Sequence, residues 1–243
     1  MSKIMKIWAV LLPFLVALVG CAGAAPTSNG PSHTSPAELV VITDTSLSVQ
    51  TPGDGPYGKA ELQRVGDVVD QMALGDTITV FEAGAKSADR AVAHPTIVTG
   101  YKLRMVTARA MTFRQLEEIG ASYRQHGGDG ATNLLFTLEN AHVDCSSGRS
   151  KVILISDGVE DSDAYSASAA LRAGKAVELP SPPPGRKLEG CSVTFLGFGV
   201  SKDGNGSAQI LPARQLEALR QGWTAYLAAA GVKPGDIDFA SII

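Results

Sequence analysis

The sequence predicts an α/β domain with a doubly wound, mostly parallel sheet flanked by helices. Three observations carry that expectation. Short apolar runs rich in Val and Ile recur at 38–43, 77–81, 151–156 and 192–199. Between them lie stretches whose apolar residues return at helical spacing, such as Leu62, Val65, Val68, Val69 and Met72. The central runs do not alternate apolar with polar, which marks strands buried on both faces under helices.

The 243 residues suffice for one sizeable domain and a targeting segment, with 44% hydrophobic and 19% charged residues as in globular proteins. Lys3 and Lys6 precede an apolar run from Ile7 to Val19. That run is short of the roughly 20 residues of a membrane span and suits the core of a signal peptide, expected over 1–20. It ends in Leu18-Val19-Gly20-Cys21, which resembles the lipobox of bacterial lipoproteins. The resemblance implies a lipid-linked Cys21 at the new N-terminus and a body anchored to a membrane, facing outside the cytoplasm in a bacterial cell envelope. An ordinary secretory signal with an incidental Cys, or an uncleaved anchor, is the alternative. Residues 21–37 then supply the lipidated Cys and a tether rich in Ala, Pro, Ser, Gly and Thr, whose composition cannot build a core.

The body is expected over 38–243. Its first strand, 38–43, is followed by a helix at 59–74 and a strand at 77–81. A further strand is expected at 95–107, in a hairpin with residues near 82–90. Phe113, Leu116, Ile119 and Tyr123 mark a second helix, and Leu134, Leu135 and Leu138 a third. Strand 151–156, a helix near 162–174, a Pro-rich surface loop at 178–190 and strand 192–199 follow. A C-terminal helix at 212–230 carries Leu216, Leu219, Trp223 and Leu227 on one face and is expected to pack on the sheet. With Cys21 lipidated, Cys145 and Cys191 remain. Both stand at the N-terminal ends of strands, and an exported pair reads as a disulfide, with two buried thiols as the alternative.

Removing Lys3 and Lys6 leaves 19 basic against 24 acidic residues. An acidic body without a basic cluster argues against nucleic acid as a partner. Gly53-Asp-Gly-Pro-Tyr-Gly58-Lys59-Ala60 approaches a phosphate-binding loop, but Ala60 stands where a hydroxyl is required and the first strand ends about ten residues earlier. A nucleotide is therefore not expected.

Chemistry concentrates after the first strand, in Asp44-Thr45-Ser46-Leu47-Ser48. Loops at the carboxyl ends of central strands form the ligand crevice of such sheets. One carboxylate and two hydroxyls there are hard oxygen donors suited to Mg²⁺, Mn²⁺ or Ca²⁺. Gly128-Asp129-Gly130-Ala131-Thr132-Asn133 puts a hydroxyl before a helix, and Val152-Ile-Leu-Ile-Ser-Asp157-Gly158 ends a buried strand in a carboxylate. If that strand neighbours the first, Asp157 comes near Asp44.

This set resembles the von Willebrand factor A (VWA) family and its metal-ion-dependent adhesion site, over residues 38 to 200. The resemblance implies a Rossmann-like fold in which Asp44, Ser46, Ser48, Thr132 and Asp157 hold a divalent cation, Mg²⁺ foremost. Ser46 and Ser48 would bind it through their hydroxyls. Asp44 and Asp157 would act chiefly through bound water, Asp44 also being able to approach the ion directly, and Thr132 would switch between direct and water-mediated contact. The open position implies a protein partner presenting Asp or Glu. An envelope scaffold whose metal is structural is the alternative. A metal-dependent hydrolase would need a positioned base, and neither a G-x-S-x-G elbow nor a His partner for Ser46 or Ser48 is present, so no enzyme is expected. Glu160, Asp161 and Asp163 read as a solvated helix start, with a second cation site as the alternative.

Overall fold

The computed structural model describes residues 35–49, 53–84, 92–128, 130–185, 188–202 and 207–240. The expected signal peptide, Cys21, most of the tether and Asp129 lie outside the described residues.

Strand β1 (Glu38–Asp44) is buried along almost its whole length, because both its faces are covered. It pairs in parallel with β2 (Thr77–Ala83) on one side and β5 (Lys151–Ile155) on the other. Beyond β5 the sheet continues through β6 (Ser192–Leu196) to β9 (Ile237–Ala240), both parallel. At the opposite edge β3 (Val92–Ala93) and β4 (Ile97–Val98) lie antiparallel to β2.

Alternate residues of these strands enter two separate cores. Leu39, Val41, Ile78, Val80, Ile153 and Ile155 face α1 (Gly55–Val69) and α2 (Met105–His126). Val40, Ile42, Val152, Leu154, Val193 and Phe195 face α3 (Leu134–Asn140), α4 (Ala167–Arg172) and α5 (Ala213–Ala229). The architecture is the mixed α/β arrangement with a mostly parallel sheet between helical layers that the apolar runs predict. Helix α5 packs on the sheet as expected, with Leu219, Trp223 and Leu227 fully buried.

Four expectations change. Only Ile97–Val98 of the strand expected at 95–107 is extended, and its partner is β2. Pro95 cannot donate to a ladder, reciprocal backbone bonds between Gly100 and Leu103 close a turn, and Met105 already starts α2. The β-like residues there yield to a buried helical stripe of Ala108, Thr112, Leu116 and Ile119. The helix expected at 59–74 lies at 55–69, begun by Gly55 and Pro56, so the glycine-rich segment is the helix's first turn. The helix expected near 162–174 shrinks to six residues, because Ser162 and Tyr165 exchange backbone bonds in a turn and Ser166 caps the helix by accepting from the Ala169 N–H. Finally, strand 192–199 stops at Leu196. Gly197 and Gly199, at φ 82° and 72°, bend the chain into a hairpin of β7 (Val200–Lys202) and β8 (Ala208–Ile210).

A disulfide joins Cys145 to Cys191, at a Cα separation of 5.0 Å. It ties the loop before β5 to the first residue before β6, at the N-terminal ends of neighbouring strands. Among the described residues no helix is long and apolar enough to cross a membrane.

Candidate metal centre

The centre stands at the carboxyl ends of β1 and β5, where the chain leaves each strand. Asp44 closes β1, and its Oδ1 accepts the Ser46 N–H at 2.8 Å, folding 44–48 into a tight loop. That loop brings the Ser46 and Ser48 hydroxyls within 3.1 Å of one another. The register Thr43↔Ile155 sets Asp44 beside Ser156, whose hydroxyl donates to Asp44 Oδ2 at 2.6 Å. Asp157 follows one residue on. Its Oδ1 accepts the Val159 N–H, its Oδ2 accepts the Ser201 hydroxyl at 2.8 Å, and Ser48 also hydrogen-bonds to it.

Four of the five expected residues are thus bound into one network. Thr132, two residues before α3, is buried but forms no hydrogen bond with those four among the described residues. Its placement comes from the backbone: its N–H donates to the Asp161 carbonyl at 2.8 Å. The same turn carries Glu160, which is fully buried, against the expectation of a solvated helix start. Glu160 Oε2 accepts the Leu134 and Leu135 N–H groups at 2.8 and 3.3 Å, capping α3 two residues after Thr132. Burial pushes its carboxyl up to about 7.

Asp44 and Asp157 are 3% and 0% exposed, and neither is paired with a cationic side chain among the described residues. Burial, then the charge of Asp157, pushes Asp44 up to about 8; burial likewise raises Asp157. Two buried carboxyls that oppose each other's ionisation are what a divalent cation would relieve. Among the described residues no group of three His, Cys, Asp or Glu side chains gathers to hold a metal. The donors here are two carboxylates with hydroxyls, a hard set that fits Mg²⁺ or Mn²⁺ and not a soft ion.

Sequence reasoning missed the part that Ser156, Ser201, Glu160 and Trp223 play in shaping the centre. Trp223 Nε1 donates to the Gly158 carbonyl at 2.7 Å, holding the turn just after Asp157. Gly158 sits at φ 80°, and a Cβ there would lie 2.7 Å from Phe198. The Ser before Asp157 was a readable signal; the other three depend on long-range packing.

No protein-family model matches the chain. No curated protein matches it either. Solved structures do. One is an aerotolerance-related membrane protein from Bacteroides fragilis carrying multiple mutations to serines: 16% identical, TM-score 0.43, covering 84% of this chain and 90% of that one. A second is the manganese-loaded TRAP protein of Plasmodium vivax, at 14% identity and TM-score 0.38, covering 85% and 69%. A third is the pilus adhesin SpaC of Lactobacillus rhamnosus GG in an open conformation, at 12% and 0.41, covering 85% of this chain and 28% of that one. The chemistry of the centre rests on this chain's own side chains.

Proposed function

We propose that this protein is a VWA-type binding module of a bacterial envelope, anchored through a lipid on Cys21, that holds a divalent cation and grips a protein partner. Asp44, Ser46, Ser48, Thr132 and Asp157 would hold the ion, with Mg²⁺ favoured. The observation that carries this reading is the Ser46–Ser48 hydroxyl pair set between two buried carboxyls, Asp44 and Asp157, with no cationic side chain paired to either among the described residues. A bound cation supplies positive charge at the protein surface that neutral hydroxyls leave uncompensated. An Asp or Glu of a partner would complete its coordination. Ser48 is half-buried and Leu47 is 59% exposed, so the loop meets solvent and a partner can reach it.

The supporting chain organisation is a signal peptide over 1–20, a lipidated Cys and tether over 21–37, and the body thereafter. The tether's last residue, Ala37, docks on the body, its N–H donating to Asp76 Oδ1 at 2.8 Å. The experiment is calorimetric titration of Mg²⁺, Mn²⁺ and Ca²⁺ into the protein and its Asp44→Ala variant. Saturable binding that vanishes in the variant supports the centre. Absence of binding by the parent chain removes the cation from the reading.

A further inference from the structure

The end of the sheet opposite the candidate metal centre carries an exposed apolar and basic projection. Glu38, Thr77 and Val98 form one row across β1, β2 and β4. Beyond Val98 the chain makes the turn closed by Gly100 and Leu103, with Tyr101 and Lys102 at its tip. Tyr101 is 92% exposed, Val106 76%, Val98 56% and Leu74 55%. Leu74 is held in this group by bonds from the Thr99 hydroxyl to the Ala73 carbonyl and from the Gly75 N–H to the Thr99 carbonyl. Lys102 and Arg104 are exposed among them, and neither forms an ion pair among the described residues.

Of the acidic residues at this end, Glu38 accepts the Asp144 N–H and Asp144 accepts the Ser146 N–H, both beside β5 and not beside the turn. Asp70 pairs with Arg109, and Asp76 takes Arg149 with the Ala37 and Ala73 N–H groups. Glu189 and Asp236 precede β6 and β9, on the far side of the sheet order.

We propose that this projection, Leu74, Val98, Tyr101 and Val106 with Lys102 and Arg104, rests on the surface of the membrane that holds the chain. The inference rests on the anchor reading for Cys21. The row that ends in Val98 begins at Glu38, where the chain enters the body, so the projection stands about two strand spacings, roughly 10 Å, from the root of the tether. Residues 22–34 reach at most about 45 Å when fully extended, which keeps this end of the body close to the bilayer and raises its effective concentration there. An exposed Tyr and aliphatic side chains suit the headgroup boundary, and Lys and Arg meet anionic headgroups there. Strand β1 then rises roughly 20 Å away from the lipid and delivers Asp44 to the outward end, where a partner approaches.

The test uses the full chain purified from bacterial membranes and reconstituted in vesicles of phosphatidylethanolamine with a minority of phosphatidylglycerol. Tyr101→Trp supplies a fluorescent probe, with Trp223 as background, since Trp8 leaves with the signal peptide. The expected result is a blue-shifted emission from the new Trp that is lost when the acyl chains are brominated. Adding Lys102→Glu and Arg104→Glu returns the emission to that of a water-exposed Trp. An unquenched, water-like emission without these charge changes overturns the proposal. So does a blue shift without quenching accompanied by a doubled mass, which gives the surface to a second copy. The mass of the N-terminal peptide from the same preparation reads the lipid on Cys21 separately. Acylation without quenching sinks the surface and keeps the anchor, while quenching without acylation does the reverse.

Discussion

The hydroxyl of Ser156 donates to Oδ2 of Asp44 at 2.6 Å, joining residues 112 positions apart at the ends of neighbouring strands. The same hydroxyl accepts the Gly158 N–H at 2.9 Å, so one side chain sets both the carboxylate of the first loop and the turn of the second. Ser156 thus positions both acidic members of the centre without being one of its expected ligands.

Ser156→Ala should weaken cation binding by about tenfold or more, the usual effect of removing a partner that orients a ligand. Titration of Mn²⁺ followed by electron paramagnetic resonance would read it. Unchanged affinity would show that Asp44 keeps its orientation without the hydroxyl.

Glu160→Ala should cost about 1–3 kcal/mol, since it leaves the Leu134 and Leu135 N–H groups buried without an acceptor. Glu160→Gln keeps an acceptor and should cost less. Thermal melts in the presence of a chelator would rank parent, Gln and Ala in that order. Because α3 begins two residues after Thr132, the Ala variant should also bind the cation more weakly.

Glu61 of α1 supplies a pH dependence of its own. It is 2% exposed, its Oε2 has no hydrogen-bond partner among the described residues, and burial pushes it up to about 8. The folded chain therefore holds this proton over a range in which the unfolded chain, near 4.5, has released it. The stability linked to that proton is fully present below 4.5 and is lost as pH rises through about 8. Melting temperatures across this range should fall with rising pH, and Glu61→Gln should flatten that fall. An identical slope in the variant would assign the dependence to other groups.

Reduction of the Cys145–Cys191 disulfide should lower stability by about 4 kcal/mol, the chain-entropy figure for a closed loop of this size, with a sequence separation of 46. The bond lies at the N-terminal ends of β5 and β6, away from Asp44 and Asp157. Cation affinity measured below the melting transition should therefore be the same with and without reductant. A parallel loss of affinity would link the two ends of the sheet.

What was legible in the chain follows from what local chemistry encodes. Runs such as Leu39 to Ile42 and Val152 to Ile155 are apolar without alternation and of strand length, which in alternation with helical stripes marks a parallel sheet covered on both faces. The stripe of Leu219, Trp223 and Leu227 likewise announces a helix with one buried face. Edge strands are harder to read. Ile237–Ala240 has only four residues and needs β6 to make it a strand, and Val200–Lys202 needs its partner across the hairpin.

The sequence by itself determined the layering of the domain, the candidate donor types in Asp44, Ser46, Ser48, Thr132 and Asp157, and the pairing open to Cys145 and Cys191. Those properties are written in hydrophobic period, side-chain chemistry and counting. The tertiary structure alone decided which groups meet. The register of β1 on β5 put Ser156 beside Asp44, the packing of α3 drew Glu160 out of water, and α5 brought Trp223 to the Gly158 carbonyl. Register and burial are set by contacts between residues far apart in the chain, so no local pattern could announce them.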